Sequence, residues 1–75
     1  MGNKYRVAHV GTGYTGTIAL RQILRSPGLQ LVGHLVHSRE KVGRDSAELV
    51  GESAVGVAAT DSVEEFLAVD ADCVT

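Results

Sequence analysis

The sequence predicts an α/β fold with a doubly wound parallel sheet, of which residues 1–75 supply the N-terminal half. Three adjoining observations carry that expectation. A short, nearly continuous apolar run, Arg6-Val7-Ala8-His9-Val10, is followed by a glycine-spaced turn, Gly11-Thr12-Gly13-Tyr14-Thr15-Gly16. An amphipathic run from Ile18 to Arg25 comes next, with apolar residues at three- and four-residue spacing and Arg21, Gln22 and Arg25 on the other side. Strand, turn and helix therefore follow in that order, and a second apolar run begins soon after the helix ends.

The first strand is expected near residues 5–10, its apolar character suiting a central parallel strand covered on both faces. His9 interrupts that pattern near the carboxyl end, where ligands bind in such sheets. We read it as a packed residue with one hydrogen bond rather than as a direct participant. Ser26-Pro27-Gly28 stops the helix, because proline cannot continue the hydrogen-bond ladder and glycine turns the chain. The second strand is expected over residues 29–37, with Leu31, Gly33 and Leu35 on one face and Val32, His34 and Val36 on the other. His34 and His37 then fall on opposite faces and cannot chelate one metal, and no other cluster has metal-ligand spacing.

Beyond that strand, Ser38 to Arg44 is a polar loop with three basic residues in six positions. Asp45-Ser46-Ala47-Glu48 has capping-box spacing and predicts a short helix ending near Gly51, so Asp45 is read as a helix cap rather than a catalytic acid. Residues 55–59 predict a third, weaker strand. Asp61 or Ser62 is expected to cap a helix running through Phe66 and Leu67, with Glu64 or Glu65 in the reciprocal position. At a helix amino end the tandem Glu64-Glu65 complements the dipole, which explains it better than paired acid/base catalysis. A fourth parallel strand is expected from residue 72 onward, and right-handed crossovers should join all four. Such a half-sheet would leave an unpaired edge and an uncovered face, so a larger enzyme is expected to contain it, with the catalytic and substrate domain outside these residues.

Composition excludes several classes of function. A chain of 75 residues with 44% hydrophobic content and a formal charge of −2 is neither disordered nor uniformly basic, so nucleic acid is not an expected partner. No apolar run approaches the ~20 residues of a membrane span, and the polar residues Asn3 and Lys4 leading directly into the first strand make a secretory leader unexpected. Cys73 is the lone cysteine, so an internal disulfide is impossible and a cytoplasmic location is expected.

The glycine turn points to phosphate binding in the Rossmann-like manner. Gly11 allows a tight exit from the strand, Gly13 lets a pyrophosphate approach the backbone, and Gly16 lets helix and sheet pack closely. The N–H groups of the first helical turn face the phosphates, and Thr12 and Thr15 can add donors. Gly11 and Gly16 also satisfy the outer glycines of the nucleoside-triphosphate loop, but Thr17 and Ile18 stand where that loop needs lysine and a hydroxyl, so hydrolysis of a triphosphate is not expected. In the dinucleotide fold a carboxylate ~20 residues beyond the glycines binds the adenosine ribose and selects NAD. Here that position is near His37, and Ser38 and Arg39 follow. A hydroxyl and a guanidinium fork suit a 2′-phosphate, and Lys41 could add a point charge, so NADP is expected over NAD, with NAD weaker. A merely solvated basic loop is the alternative. Flavin and S-adenosylmethionine are disfavoured by the missing acid.

With those residues in place the chain resembles a known family. Gly11 to Gly16, Val36-His37-Ser38, Val42 to Gly51 and Thr60 to Glu64 resemble the N-terminal cofactor domain of the dihydrodipicolinate reductase superfamily. The likeness within it is to bacterial 2,4-diaminopentanoate dehydrogenases and native amine dehydrogenases. The segment from Gly43 to Gly51 is more specific than the glycine turn, although Ala47 departs from the glycine found there in many members. The resemblance implies a homodimeric NAD(P)-dependent oxidoreductase acting on a carbon–nitrogen bond, reductively aminating a ketone or running the reverse reaction. It also implies that Gly11, Thr12, Gly13, Tyr14, Thr15 and Gly16 bind the pyrophosphate, that Ser38 and Arg39 bind the adenosine 2′-phosphate, and that Thr75 approaches the nicotinamide side; His37 and Lys41 are added as cofactor-binding candidates from the sequence reading above. No catalytic residue of the family falls within residues 1–75. A dihydrodipicolinate reductase-like enzyme and a non-catalytic NADP-binding sensor module remain the alternatives.

Overall fold

The computed structural model describes residues 4–11 and 13–75, and for Tyr14 and Thr15 the backbone alone. Strand β1, Tyr5–Val10, lies at the centre of a three-stranded parallel sheet, with β2, Leu29–Leu35, on one side and β3, Cys73–Val74, on the other. Helix α1, Tyr14–Arg25, connects β1 to β2, and the short helix α2, Val63–Leu67, precedes β3. Between β2 and α2 the chain makes two 3-10 turns, Arg39–Lys41 and Glu48–Val50.

Each element follows from its sequence. Helix α1 places Leu20 and Ile23 on Val7 of β1, Leu31 of β2 and Val50 of the second 3-10 turn, and this cluster is the main core. The helix ends at Ser26, which is extended as a residue before proline must be, while its hydroxyl donates to the carbonyl of Gln22 at 2.6 Å. Helix α2 is capped by Ser62, whose hydroxyl accepts from the Glu65 N–H at 3.2 Å. The Glu65 carboxylate does not return to Ser62 directly. It accepts from the Thr60 hydroxyl at 2.8 Å, and that hydroxyl in turn accepts the Ser62 N–H at 3.1 Å. Strand β3 is tied to β1 through Asp72, which accepts the Arg6 N–H at 2.8 Å and donates its own N–H to the Arg6 carbonyl at 2.7 Å.

Four expectations are corrected. Strand β2 ends at Leu35 rather than residue 37, because β1 ends opposite it at Val10 and the Val36 N–H turns instead to the Thr60 carbonyl at 2.8 Å. Its faces also differ from simple alternation. The β1–β2 register slips between Val7 and Ala8, so that Val7 pairs with Leu31 but Ala8 pairs with Gly33, and Val32 is left as the extra residue of a bulge. Leu31 therefore packs toward α1, Gly33 faces Val69 on the opposite side, and His34 returns to the α1 side opposite His9.

The expected third strand over residues 55–59 does not form. What remains of it is a parallel bridge of Thr60 with Leu35 and an antiparallel bridge of Ala58 with Asp45. Asp45 explains the loss. Its carboxylate accepts the N–H groups of Val55, at 3.2 Å, and Gly56, at 2.8 Å, removing the donors a strand would need. The same carboxylate accepts the Ala47 N–H at 3.0 Å, but Asp45 is not the helix cap expected of it: the segment forms a single 3-10 turn, Glu48–Val50, whose N-cap is Ala47 with no side-chain hydrogen bond.

Candidate functional site

The glycine turn sits at the carboxyl end of the sheet. Gly11 leaves β1 with φ +93°, a conformation that only glycine adopts without strain, and its N–H donates to the Leu35 carbonyl at 2.8 Å. Thr12 lies outside the described residues. Gly13 is exposed and extended, with φ −61° and ψ 179°, and it caps α1 without any side-chain hydrogen bond. Its carbonyl accepts the Thr17 N–H at 2.7 Å, which starts the helical ladder. A Cβ at Gly16 would lie 3.3 Å from the Gly11 carbonyl carbon and 3.7 Å from His9 Nε2, so the close approach expected there is made to the start of the turn and to His9.

The consequence is electrostatic. Gly13 offers α1 no side-chain cap and the first turn holds no acidic residue, so no carboxylate of that turn offsets the positive end of the helix dipole, which favours an anion. A Cβ at Gly13 would meet nothing within 4 Å, so the space over that backbone is open. These features fit the diphosphate of a dinucleotide.

Two histidines complete the site, and their pairing could not be read from sequence. His9 and His34 stand opposite one another on adjacent strands, with ring centroids 5.5 Å apart. They are 3% and 0% exposed. His34 places Nε2 2.9 Å from the Gly11 carbonyl and Nδ1 2.9 Å from the Ser46 hydroxyl. His9 places Nε2 3.0 Å from the Gly16 carbonyl and Nδ1 2.9 Å from the Thr75 hydroxyl. Burial lowers the pKa of both rings below 6.5, opposed by hydrogen bonds to backbone carbonyls, and the charges of His9 and Lys41 lower His34 further. His9 thus makes two hydrogen bonds rather than the one expected. The signal that could have revealed the pair was the bulge, which sequence periodicity does not carry.

The other expected site residues gather at the same end of the sheet. His37 and Arg39 are exposed just beyond β2, and Ser38 starts the first 3-10 turn by accepting the Lys41 N–H at 3.1 Å. Lys41 is half-buried and near enough to act on His34. Thr75 joins β1 through two backbone hydrogen bonds of 2.9 Å, to Val10 and Ala8, while its hydroxyl is engaged by His9. The side chains of Tyr14 and Thr15 are not described. A separate cavity of about 370 Å³ is lined by Lys4, Ile23, Leu29 and Leu31 at the amino ends of the strands, away from the turn. Among the described residues no group of three or more His, Cys, Asp or Glu could hold a metal, and no helix is long and apolar enough to cross a membrane.

A parallel sheet whose central strand delivers a glycine turn into an uncapped helix defines a Rossmann-like α/β fold. Comparison with known proteins narrows this. A protein named amine dehydrogenase from Streptomyces virginiae is 48% identical over 60 residues, which are 77% of this chain and 16% of that protein. The solved structure of amine dehydrogenase from Mycobacterium smegmatis matches 85% of this chain and 19% of its own, with a TM-score of 0.77 and 34% identity. No family model matches the chain. The chain is similar in sequence and fold to these proteins named amine dehydrogenase, and it spans less than a fifth of the length of either, at 16% and 19%.

Proposed function

We propose that the full-length protein is an NADP-dependent oxidoreductase acting on a carbon–nitrogen bond, and that residues 4–75 hold and orient its cofactor. One observation carries this reading. The uncapped N-terminus of α1 and the basic segment that follows β2 lie at the same end of one parallel sheet, with no carboxylate at the end of β2. The likeness to proteins named amine dehydrogenase supports an amine as the reduced substrate. A nicotinamide bound here would supply hydride transfer. Gly13 would let the diphosphate reach the first-turn N–H groups, Ser38 and Arg39 would take the 2′-phosphate, and Lys41 would add positive charge. In this reading a base outside these residues would take one proton from the protonated amine, and water would convert the resulting iminium ion to ketone and ammonium. The protein would work as a cytoplasmic homodimer.

The test is Arg39→Ala in the protein as its source expresses it. NADPH should bind more weakly by about 1.5–3 kcal/mol, the scale of a hydrogen bond to a charged group, while NADH changes little. Fluorescence titration with both cofactors checks this. Equal weakening of the two removes the 2′-phosphate assignment.

A further inference from the structure

We propose that His9 and His34 are positioning residues for the glycine turn, each donating its Nε2–H to a turn carbonyl, His34 to Gly11 and His9 to Gly16. The inference rests on reading the turn as a dinucleotide site, and it adds what keeps that site in shape.

The chemistry of the partners fixes the direction of each bond. A carbonyl can only accept, so the ring nitrogen facing it must carry the proton. In a neutral ring the other nitrogen is then an acceptor, and the groups facing the two Nδ1 atoms are the hydroxyls of Ser46 and Thr75, both able to donate. Each imidazole is therefore held as the Nε2–H tautomer by a hydroxyl on one side and a turn carbonyl on the other. The two braces grip different parts of the turn. Gly11 is where β1 ends, and Gly16 lies within the first turn of α1.

That division has a consequence for binding. The Gly11 and Gly16 carbonyls are turned to the histidines and the Gly13 carbonyl to Thr17, so each of these three described carbonyls is engaged by a donor of the chain and none needs one from a ligand. The braces are also long-range. His34 connects the turn to β2 and to the loop holding Ser46, while His9 connects it to Thr75 after β3. A Cβ at residue 16 would crowd the Gly11 carbonyl carbon, at 3.3 Å, the group whose oxygen His34 holds, while meeting His9 Nε2 only at an ordinary contact distance of 3.7 Å.

The experiment uses the protein as its source expresses it, with NADPH as the probe. Nitrogen-15 NMR of the imidazoles reads the tautomers directly, and both rings should be protonated at Nε2. A ring protonated at Nδ1 overturns the assignment. His9→Gln and His34→Gln keep an N–H donor near the Nε2 position, whereas His9→Leu and His34→Leu remove it. The leucine variants should weaken NADPH about tenfold or more, the effect of leaving a buried carbonyl without its donor, and the glutamine variants should stay within about threefold of wild type. Folded leucine variants with wild-type affinity refute the proposal. Should leucine prevent folding, glutamine decides: retained affinity supports the brace, and a tenfold loss overturns it. A wild-type protein that binds neither NADPH nor NADH removes the dinucleotide reading itself, a result distinct from all of these.

Discussion

Gly13→Ala separates a binding role for the turn from a structural one, because the two make different demands on this residue. Gly13 has φ −61° and ψ 179°, which alanine adopts freely, and an added Cβ meets no atom of the chain within 4 Å. Two small effects on folding oppose each other. Alanine is a poorer N-cap than glycine by roughly 0.5–1 kcal/mol, and it lowers the entropy of the unfolded chain by a comparable amount. Stability should therefore change by no more than about 0.5 kcal/mol. A diphosphate lying on that backbone would be pushed off by the methyl group and would lose one or two charge-assisted hydrogen bonds. At about 1.5–3 kcal/mol each, the loss of one bond alone weakens NADPH at least about tenfold. Urea denaturation measures the first quantity and NADPH fluorescence titration the second. Unchanged affinity, with wild type binding normally, would show that no phosphate approaches Gly13. An affinity loss matched by an equal loss of stability would show that the open space above the residue was misjudged.

Further outcomes follow from the buried histidines and from Asp45. Because burial lowers the pKa of His9 and His34 below 6.5, the unfolded chain binds more protons than the folded one between the folded values and 6.5. Stability without nucleotide should thus be full above about pH 6.5 and fall as the pH drops through that value, so the urea midpoint should be lower at pH 5.5 than at 7.5. The double variant His9→Gln, His34→Gln should flatten this slope, and an unchanged slope would contradict the assignment. Asp45→Ala should cost about 1–3 kcal/mol, since it leaves the N–H groups of Ala47, Val55 and Gly56 without their acceptor, whereas Asp45→Asn should cost less. Burial works to raise the Asp45 pKa, but N–H donors from Gly56, Val55, Ala47 and Glu48 outweigh it and hold the carboxyl below 3.8. Its stabilisation is therefore present above about pH 3.8 and lost as the pH falls through the lower folded value. An acid titration of wild type against Asp45→Ala, followed by circular dichroism, checks the direction.

Local sequence determined β1, the glycine turn, α1 and the Ser62 cap, because each depends on neighbours a few residues apart: apolar spacing, glycine where φ is positive, proline where a helix stops, a hydroxyl where a helix begins. The same local rules marked Gly11, Gly13 and Gly16 and the basic segment after β2. They failed at residues 55–59, where the apolar pattern permits a strand but a carboxylate ten positions away, on Asp45, takes the N–H of Val55. They failed again in β2, where alternation sends Leu31 and His34 to opposite faces and the bulge at Val32 returns both to the α1 side. Only tertiary structure decides such a register slip, since its benefit is collected from Val69 against Gly33, from Leu20 and Ile23 against Leu31, and from His9 opposite His34. The histidine pair under the turn is therefore a property of the folded sheet, assembled from residues 25 positions apart in sequence.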